Sequence, residues 1–383
     1  MCKDKCLSFE TIAVHGKKGV DPLTGSLSFP IYQTATFKHN GLNESTGYDY
    51  SRLQNPTREE VEGTVAKLEG GKWGIAFSTG VAGITAIINL FKSGDHILVS
   101  DDLYGGTFRL FEEIYKPYGI EHDFIDTTCI EEVLSNLKEN TKAIFLETPS
   151  NPMMKVTDIR KIVEIAKERD LKVIVDNTFL TPYYQKPLDL GADIVVHSGT
   201  KFLGGHNDAL AGFVVTNSDE INDKIRFYQK STGAVLAPFD SWLLLRGMKT
   251  LHLRMDKSQE NAIKIANYLK NHHKVKEVFY VGLQDHKGYE ISKSQATGFG
   301  AMISFNVYEE EQVAKILKNV EVITFAESLG GVETLITYPQ TQTHAEIPEE
   351  IKNKLGITKT LLRLSVGIEN VEDLIKDLEK ALG

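Results

Sequence analysis

The chain has 383 residues, 41% hydrophobic and 25% charged, enough for one large core and a second, smaller one. Its formal net charge is -9, its pI is near 5.7 and no block of Lys and Arg stands out, so a basic field that would draw nucleic acid or anionic lipid is excluded. Met1 to Glu10 lack the apolar centre of a signal peptide, and no run of about 18 uncharged apolar residues occurs, which together predict a cytoplasmic protein with no membrane partner. Cys2, Cys6 and Cys129 are too few and too scattered for a disulfide framework or a zinc site and read as reduced thiols, with no metal expected.

Residues 1–60 are rich in Gly, Pro, Asn, Thr and Tyr without a sustained period, which predicts an extended arm of the kind that reaches a neighbouring subunit. Over residues 61–250 short apolar, β-branched runs alternate with helical stretches. The runs are Trp73 to Phe77, His96 to Ser100, Ala143 to Glu147, Lys172 to Asp176, Asp193 to His197 and Gly212 to Thr216. Nearly continuous Ile, Val and Phe in such runs predict an α/β fold with a mostly parallel central sheet, its strands covered on both faces. Over residues 251–383 a long helix, Leu251 to Asn271, leads into spaced strands at Gly300 to Asn306 and Leu361 to Val366 and a closing helix from Val371, a smaller C-terminal α/β domain.

Three constellations fall at predicted strand ends, where open α/β sheets place their ligands. Ser78 to Gly83 (Ser-Thr-Gly-Val-Ala-Gly) follows a strand and opens a helix, so its backbone N–H groups and the helix dipole suit a phosphate. The spacing does not fit a dinucleotide fingerprint, and a tight strand-to-helix turn explains the same glycines. Asp176 ends the run Val173 to Val175, and a buried carboxylate there needs a cationic partner such as a protonated pyridine nitrogen; a helix cap or loop ion pair is the plainer explanation of an aspartate standing alone. Lys201 follows another apolar run within Ser198-Gly199-Thr200-Lys201, unusual surroundings for a lysine, and partial desolvation is what makes a lysine nucleophilic at neutral pH. Ser198 and Thr200 are short hydroxyl donors suited to a phosphate.

Together with Tyr48-Asp49-Tyr50-Ser51-Arg52, Asn55-Pro56-Thr57-Arg58, Asp102-Leu103-Tyr104-Gly105-Gly106-Thr107, Glu147-Thr148-Pro149-Ser150-Asn151-Pro152, Glu327-Ser328-Leu329-Gly330-Gly331-Val332-Glu333 and Arg363-Leu364-Ser365-Val366-Gly367, these motifs resemble the Cys/Met-metabolism family of pyridoxal-phosphate enzymes, of the aspartate-aminotransferase fold type (fold type I). The resemblance runs from about residue 10 to the C-terminus. It implies that Lys201 carries pyridoxal 5'-phosphate, that Asp176 faces the pyridine nitrogen and that Tyr104 stacks on the ring and assists proton transfer. It implies that Gly80, Val81, Ser198 and Thr200 hold the phosphate, with Tyr50 and Arg52 reaching it from the other subunit of a dimer. Arg363, with Asn151 and Ser328, would bind the substrate α-carboxylate, and two dimers would form a homotetramer.

Within that family, acidic residues at Asp49 and Glu327 resemble those of γ-synthases and γ-lyases, where they hold the distal amino group of cysteine or cystathionine, and differ from the apolar or aromatic residues of β-lyases. Gly106 stands where methionine γ-lyases carry a reactive cysteine. The implied activity is γ-replacement of the acyl group of an O-acylhomoserine by cysteine, a cystathionine γ-synthase activity, with γ-elimination from cystathionine as the alternative and an inactive pyridoxal-phosphate-binding regulatory protein as a remoter one. The segments Glu44 to Tyr50, Pro238 to Leu244 and Gln342 to Pro348 carry the likeness to the synthase branch. The chain departs from the family pattern at Val81 (usually Met), Gly199 (usually Ala) and Gln342 (often Met).

Overall fold

The computed structural model describes residues 7–383; Cys2 and Cys6 fall outside that range, and Cys129 is an exposed free thiol. The apolar runs become strands because branched and aromatic side chains pack on a pleated surface. They are β1 (Trp73–Phe77), β2 (His96–Ser100), β3 (Glu121–Ile125), β4 (Thr141–Glu147), β5 (Lys172–Asp176), β6 (Ile194–Ser198) and β7 (Gly212–Thr216). They form one seven-stranded sheet in the order β1-β7-β6-β5-β4-β2-β3, parallel throughout except for β7, which runs against both its neighbours. The expected mostly parallel α/β sheet is what forms. β3 went unmarked in the sequence because Glu121, His122 and Asp123 occupy a half-exposed edge strand that needs no apolar run.

A second sheet comprises β8 (Val275–Phe279), β9 (Met302–Val307), β10 (Thr324–Phe325), β11 (Leu335–Thr337) and β12 (Leu361–Ser365), ordered β10-β11-β12-β9-β8. β9 begins two residues later than the run from Gly300 suggests, because Gly300 has φ +73 and turns the chain before the strand starts. The helix Leu251–Lys270 links the sheets, and both share one apolar core: Val195, Phe213 and Val215 of the first lie in the same buried cluster as Ile303, Phe305 and Leu364 of the second. The helix Val371–Leu382 closes the chain, and among the described residues no helix is long and apolar enough to cross a membrane.

The first 60 residues are not extended throughout. A short helix, α1 (Phe9–His15), packs on α2 (Pro56–Glu69), which starts inside the expected arm. Asn55 sets that start: its Oδ1 accepts the N–H groups of Thr57 (3.0 Å) and Arg58 (3.4 Å), and Pro56 takes the first helical position, where an N–H is not needed. Between the two helices the chain is irregular, with one bridge between Thr36 and Tyr50.

The reversed strand matters most for function. Because β7 lies between β1 and β6 and runs against them, its first residue, Gly212, pairs with Phe77 at the end of β1 and Ser198 at the end of β6. A side chain at Gly212 would collide with the carbonyl of Thr79 and lie 2.7 Å from the nitrogen of Gly80. Gly212 therefore lets the turn after β1 close against the segment after β6. We expect Gly212→Ala to cost about 1–3 kcal/mol of stability through overpacking, read as a lower urea midpoint at unchanged m-value; an unchanged midpoint would refute the seam.

Candidate active site

The carboxyl ends of β1, β4, β5 and β6 surround a cleft of about 360 Å³, roofed by the second sheet. One end is built for an anion. Thr79 caps helix α3 (Gly80–Ile88), its Oγ1 accepting the N–H of Ala82 at 3.1 Å, while the N–H groups of Gly80 and Val81 sit in the first turn, where no intrahelical acceptor exists. About half a positive elementary charge resides at such a terminus. A side chain at Gly80 would come within 2.9 Å of Ser198 Cβ, so its absence lets Ser198 share the same end. Thr200 lines it too, anchored by accepting the N–H of Ala211 at 3.0 Å.

Asp176 forms the middle of the floor. Thr178 donates to its Oδ1 through both hydroxyl (2.5 Å) and N–H (3.0 Å), and the same hydroxyl accepts the N–H of Ser198 at 2.9 Å, fixing the carboxylate relative to the anion end. Among the described residues no Lys, Arg or His comes within 4.0 Å of this buried carboxylate, and burial holds its pKa above the ordinary range. Glu147 lies directly across the sheet from Asp176, in register, also buried. Burial first and the Asp176 charge second push it well up, while its Oε2 accepts the N–H of Tyr104 at 2.9 Å. Tyr104, 39% exposed, stands before helix α4 (Gly105–Arg109) and lines the cleft. Its ring lies where a side chain at Gly106 would be.

Lys201 and Arg363 meet at Ser328. Lys201 Nζ donates to Ser328 Oγ at 2.8 Å, and Arg363 Nη2 donates to Ser328 O at 3.2 Å. Ser328 has φ +102, rare for a residue with a side chain, and this unfavourable backbone presents both oxygens to the two cations. Burial, reinforced by Arg363, lowers the Lys201 ammonium to about 8, so roughly a tenth is neutral amine at pH 7, far more than for a solvated lysine. Arg363 is 1% exposed; its Nη1 donates to Asn151 Oδ1 at 2.7 Å, its Nε has no acceptor, and no carboxylate lies within 4.0 Å among the described residues. Burial brings it down to about 10, with Glu147 and Glu327 opposing. Glu327 lines the cleft and forms no ion pair among the described residues.

Gly80, Val81, Tyr104 and Asp176 are thus brought together with Ser198, Thr200 and Lys201, and with Asn151, Glu327, Ser328 and Arg363. Asp49, Tyr50 and Arg52 are not: within one chain they lie outside this cleft. Asp49 pairs with His39 at 2.9 Å and accepts from Ser45 at 2.5 Å; Arg52 donates to the Lys230 carbonyl at 2.7 Å and stacks over Tyr50, which is 44% exposed. Sequence reasoning missed Glu147 and Thr178 as site residues, although Glu147 ends an apolar run just as Asp176 does and carried the same signal.

Residues 10–383 match the family described as Cys/Met metabolism PLP-dependent enzyme. The chain belongs to this family. The donor set fits the family's cofactor, pyridoxal phosphate: an anion-binding helix start, a buried carboxylate lacking a cation to face a ring nitrogen, and a desolvated lysine to meet an aldehyde. A relative from Bacillus subtilis named cystathionine gamma-synthase/O-acetylhomoserine (thiol)-lyase is 51% identical over 94% of this chain and 93% of its own length. One from Lactococcus lactis subsp. cremoris named cystathionine beta-lyase is 52% identical over 98% and 99%. The crystal structure of cystathionine gamma-lyase from Lactobacillus plantarum complexed with L-serine superposes with a TM-score of 0.96 at 46% identity, covering 98% of each chain. Relatives bearing different reaction names are about equally similar, so overall identity does not select the reaction.

With Lys201 as the expected amine that takes up the aldehyde, loading of the cofactor-free chain should accelerate as pH rises through about 8. Because Arg363 disfavours the ammonium, Arg363→Gln should move that inflection to higher pH. Visible absorbance of the bound cofactor against pH checks both; an unmoved or lowered inflection would contradict the coupling.

Proposed function

We propose that this family member catalyses γ-replacement on an O-acylhomoserine, joining it to cysteine to give cystathionine and the free carboxylic acid, as a cytoplasmic homotetramer. Glu327 supports γ-chemistry, and the likeness of Glu44 to Tyr50, Pro238 to Leu244 and Gln342 to Pro348 to the synthase branch carries the choice of replacement. The distal end of cysteine or cystathionine brings a second ammonium group into the cleft, and among the described residues no cation lies within 4.0 Å of this carboxylate.

When bound, pyridoxal phosphate supplies an aldehyde that takes up amines and an electron-drawing ring. Gly80 and Val81, through N–H groups, and Ser198 and Thr200, through hydroxyls, would hold its phosphate. Asp176 would keep the ring nitrogen protonated, and Tyr104 would cover the ring's open face. Arg363, steadied by Asn151 and Ser328, would grip the α-carboxylate in a charge-assisted contact that fixes which bond at Cα faces Lys201. Lys201 Nζ, once released, would accept the α-proton and redeliver it, a role that its lowered pKa supports. Tyr50 and Arg52 would come to the phosphate, and Asp49 to the cleft mouth, from the arm of a second copy, which accounts for their exposure in the single chain.

The likeness to the Lactobacillus plantarum lyase favours one second reading, γ-elimination from cystathionine. Purified protein given O-acetyl- or O-succinylhomoserine plus cysteine should form cystathionine. Cysteine, 2-oxobutyrate and ammonia from cystathionine alone, without synthesis, would select the second reading; homocysteine and pyruvate would reject both. Lys201→Ala should fold, lose the visible absorbance of bound cofactor and lose about 10²–10⁴-fold in rate, the span of one positioned acid–base group. Retained turnover would remove Lys201 from the chemistry. A variant with Arg52→Ala should bind cofactor more weakly while its own chain's cleft is intact, measured by cofactor retention on dialysis.

A further inference from the structure

The segment 341–347 sits between β11 and the helix Glu349–Leu355, and nothing above gives it a task beyond Thr343 lining the cleft. At its centre is His344, 1% exposed. Its Nε2 lies 3.0 Å from the carbonyl oxygen of Asn151 and 3.2 Å from that of Leu103, and its Nδ1 lies 2.7 Å from Thr343 Oγ1. Carbonyls only accept, so Nε2 must carry the hydrogen and donate to both; the Thr343 hydroxyl then donates to Nδ1. The partners alone fix the tautomer. Burial, with Arg363 adding to it, depresses the imidazolium to about 4, which keeps the ring neutral and Nδ1 free to accept.

What the ring joins is the significant point. Leu103 immediately precedes Tyr104, whose N–H is held by Glu147. Asn151 accepts the Arg363 guanidinium on its side chain. A separate contact reinforces the join: a side chain at Gly105 would run into the Thr343 carbonyl, so the two loops touch backbone to backbone. At the rim Arg109 and Glu346 pair across the same two segments.

We infer that His344 is a positioning residue, whose single Nε2–H sets the tyrosine loop and the carboxylate-orienting asparagine at a fixed separation and registers the 341–347 segment on both. It touches no reacting atom. Its effect is on where Tyr104 and Arg363 stand relative to the bound cofactor. The inference rests on the pyridoxal-phosphate site and not on which reaction follows; a wild-type chain yielding none of the assayed products would sink the proposed reaction and leave the comparison below intact.

Glutamine can put an amide N–H close to the Nε2 position, whereas asparagine reaches only the Nδ1 position. In cofactor-loaded protein, His344→Asn should keep wild-type cofactor stoichiometry and weaken binding of L-norvaline, which has no leaving group, by about tenfold, the loss of one buried hydrogen bond. The visible circular dichroism of the cofactor should also fall. His344→Gln should stay within about threefold of wild type on the same one-bond scale. Wild-type affinity and dichroism in the asparagine variant, or equal loss in both variants, would overturn the inference, since a ring that merely fills space makes no such distinction. Should neither variant fold, Thr343→Val, which removes the donor to Nδ1, should lower norvaline affinity by a smaller factor at native melting temperature; unchanged affinity would overturn it.

Discussion

Two buried charged groups that, among the described residues, have no opposite charge within 4.0 Å, the Asp176 carboxylate and the Arg363 guanidinium, govern the architecture of the cleft. Ions removed from water without a partner are costly, and proteins keep them only where something else pays for the arrangement. Here each is steadied by neutral dipoles: Asp176 by Thr178, Arg363 by Asn151, Ser328 and Thr337. In the proposed reading, a cofactor with a protonated ring nitrogen and a substrate with a carboxylate would bring the missing opposite charges. Lys201, between them, is held partly neutral by the same dryness and by the nearby guanidinium, so one environment makes a carboxylate receptive and an amine reactive.

The sheet topology brings these groups within one cleft. Parallel strands leave their carboxyl ends on one side, which puts Glu147, Asp176 and Ser198 along a single edge. The reversed β7 then draws the helix start after β1 against the end of β6, with Gly212 and Gly80 removing side chains from the closest approaches. The second sheet contributes Arg363 from β12 and Ser328 from the loop between β10 and β11, and the apolar core shared between sheets keeps this roof in register with the floor.

Most of this floor was legible in the sequence because its signals are local. Apolar runs mark strands, and a charged residue at or just after the end of such a run marks a site, as Asp176 and Lys201 do. β3 was not legible, because an edge strand wears the polarity of a loop. The pairing of Glu147 with Asp176 and the ring contacts of His344 were not legible either, since each is made between segments far apart in the chain, and the positive φ of Ser328 was not because serine carries no signal for that backbone conformation. Asp49, Tyr50 and Arg52 form the reverse case: their motif is plain in the sequence, yet one chain does not carry them to the cleft.

The ties between the 341–347 segment and the catalytic floor end on main-chain oxygens at Leu103 and Asn151, and on the bare backbone of Gly105. At Leu103 and Asn151 this attachment asks only for a main-chain oxygen, whereas Gly105 must lack a side chain. The side chains of Leu103 and Asn151 are therefore left free of this contact, in a fold whose relatives at about half identity bear the names of different reactions.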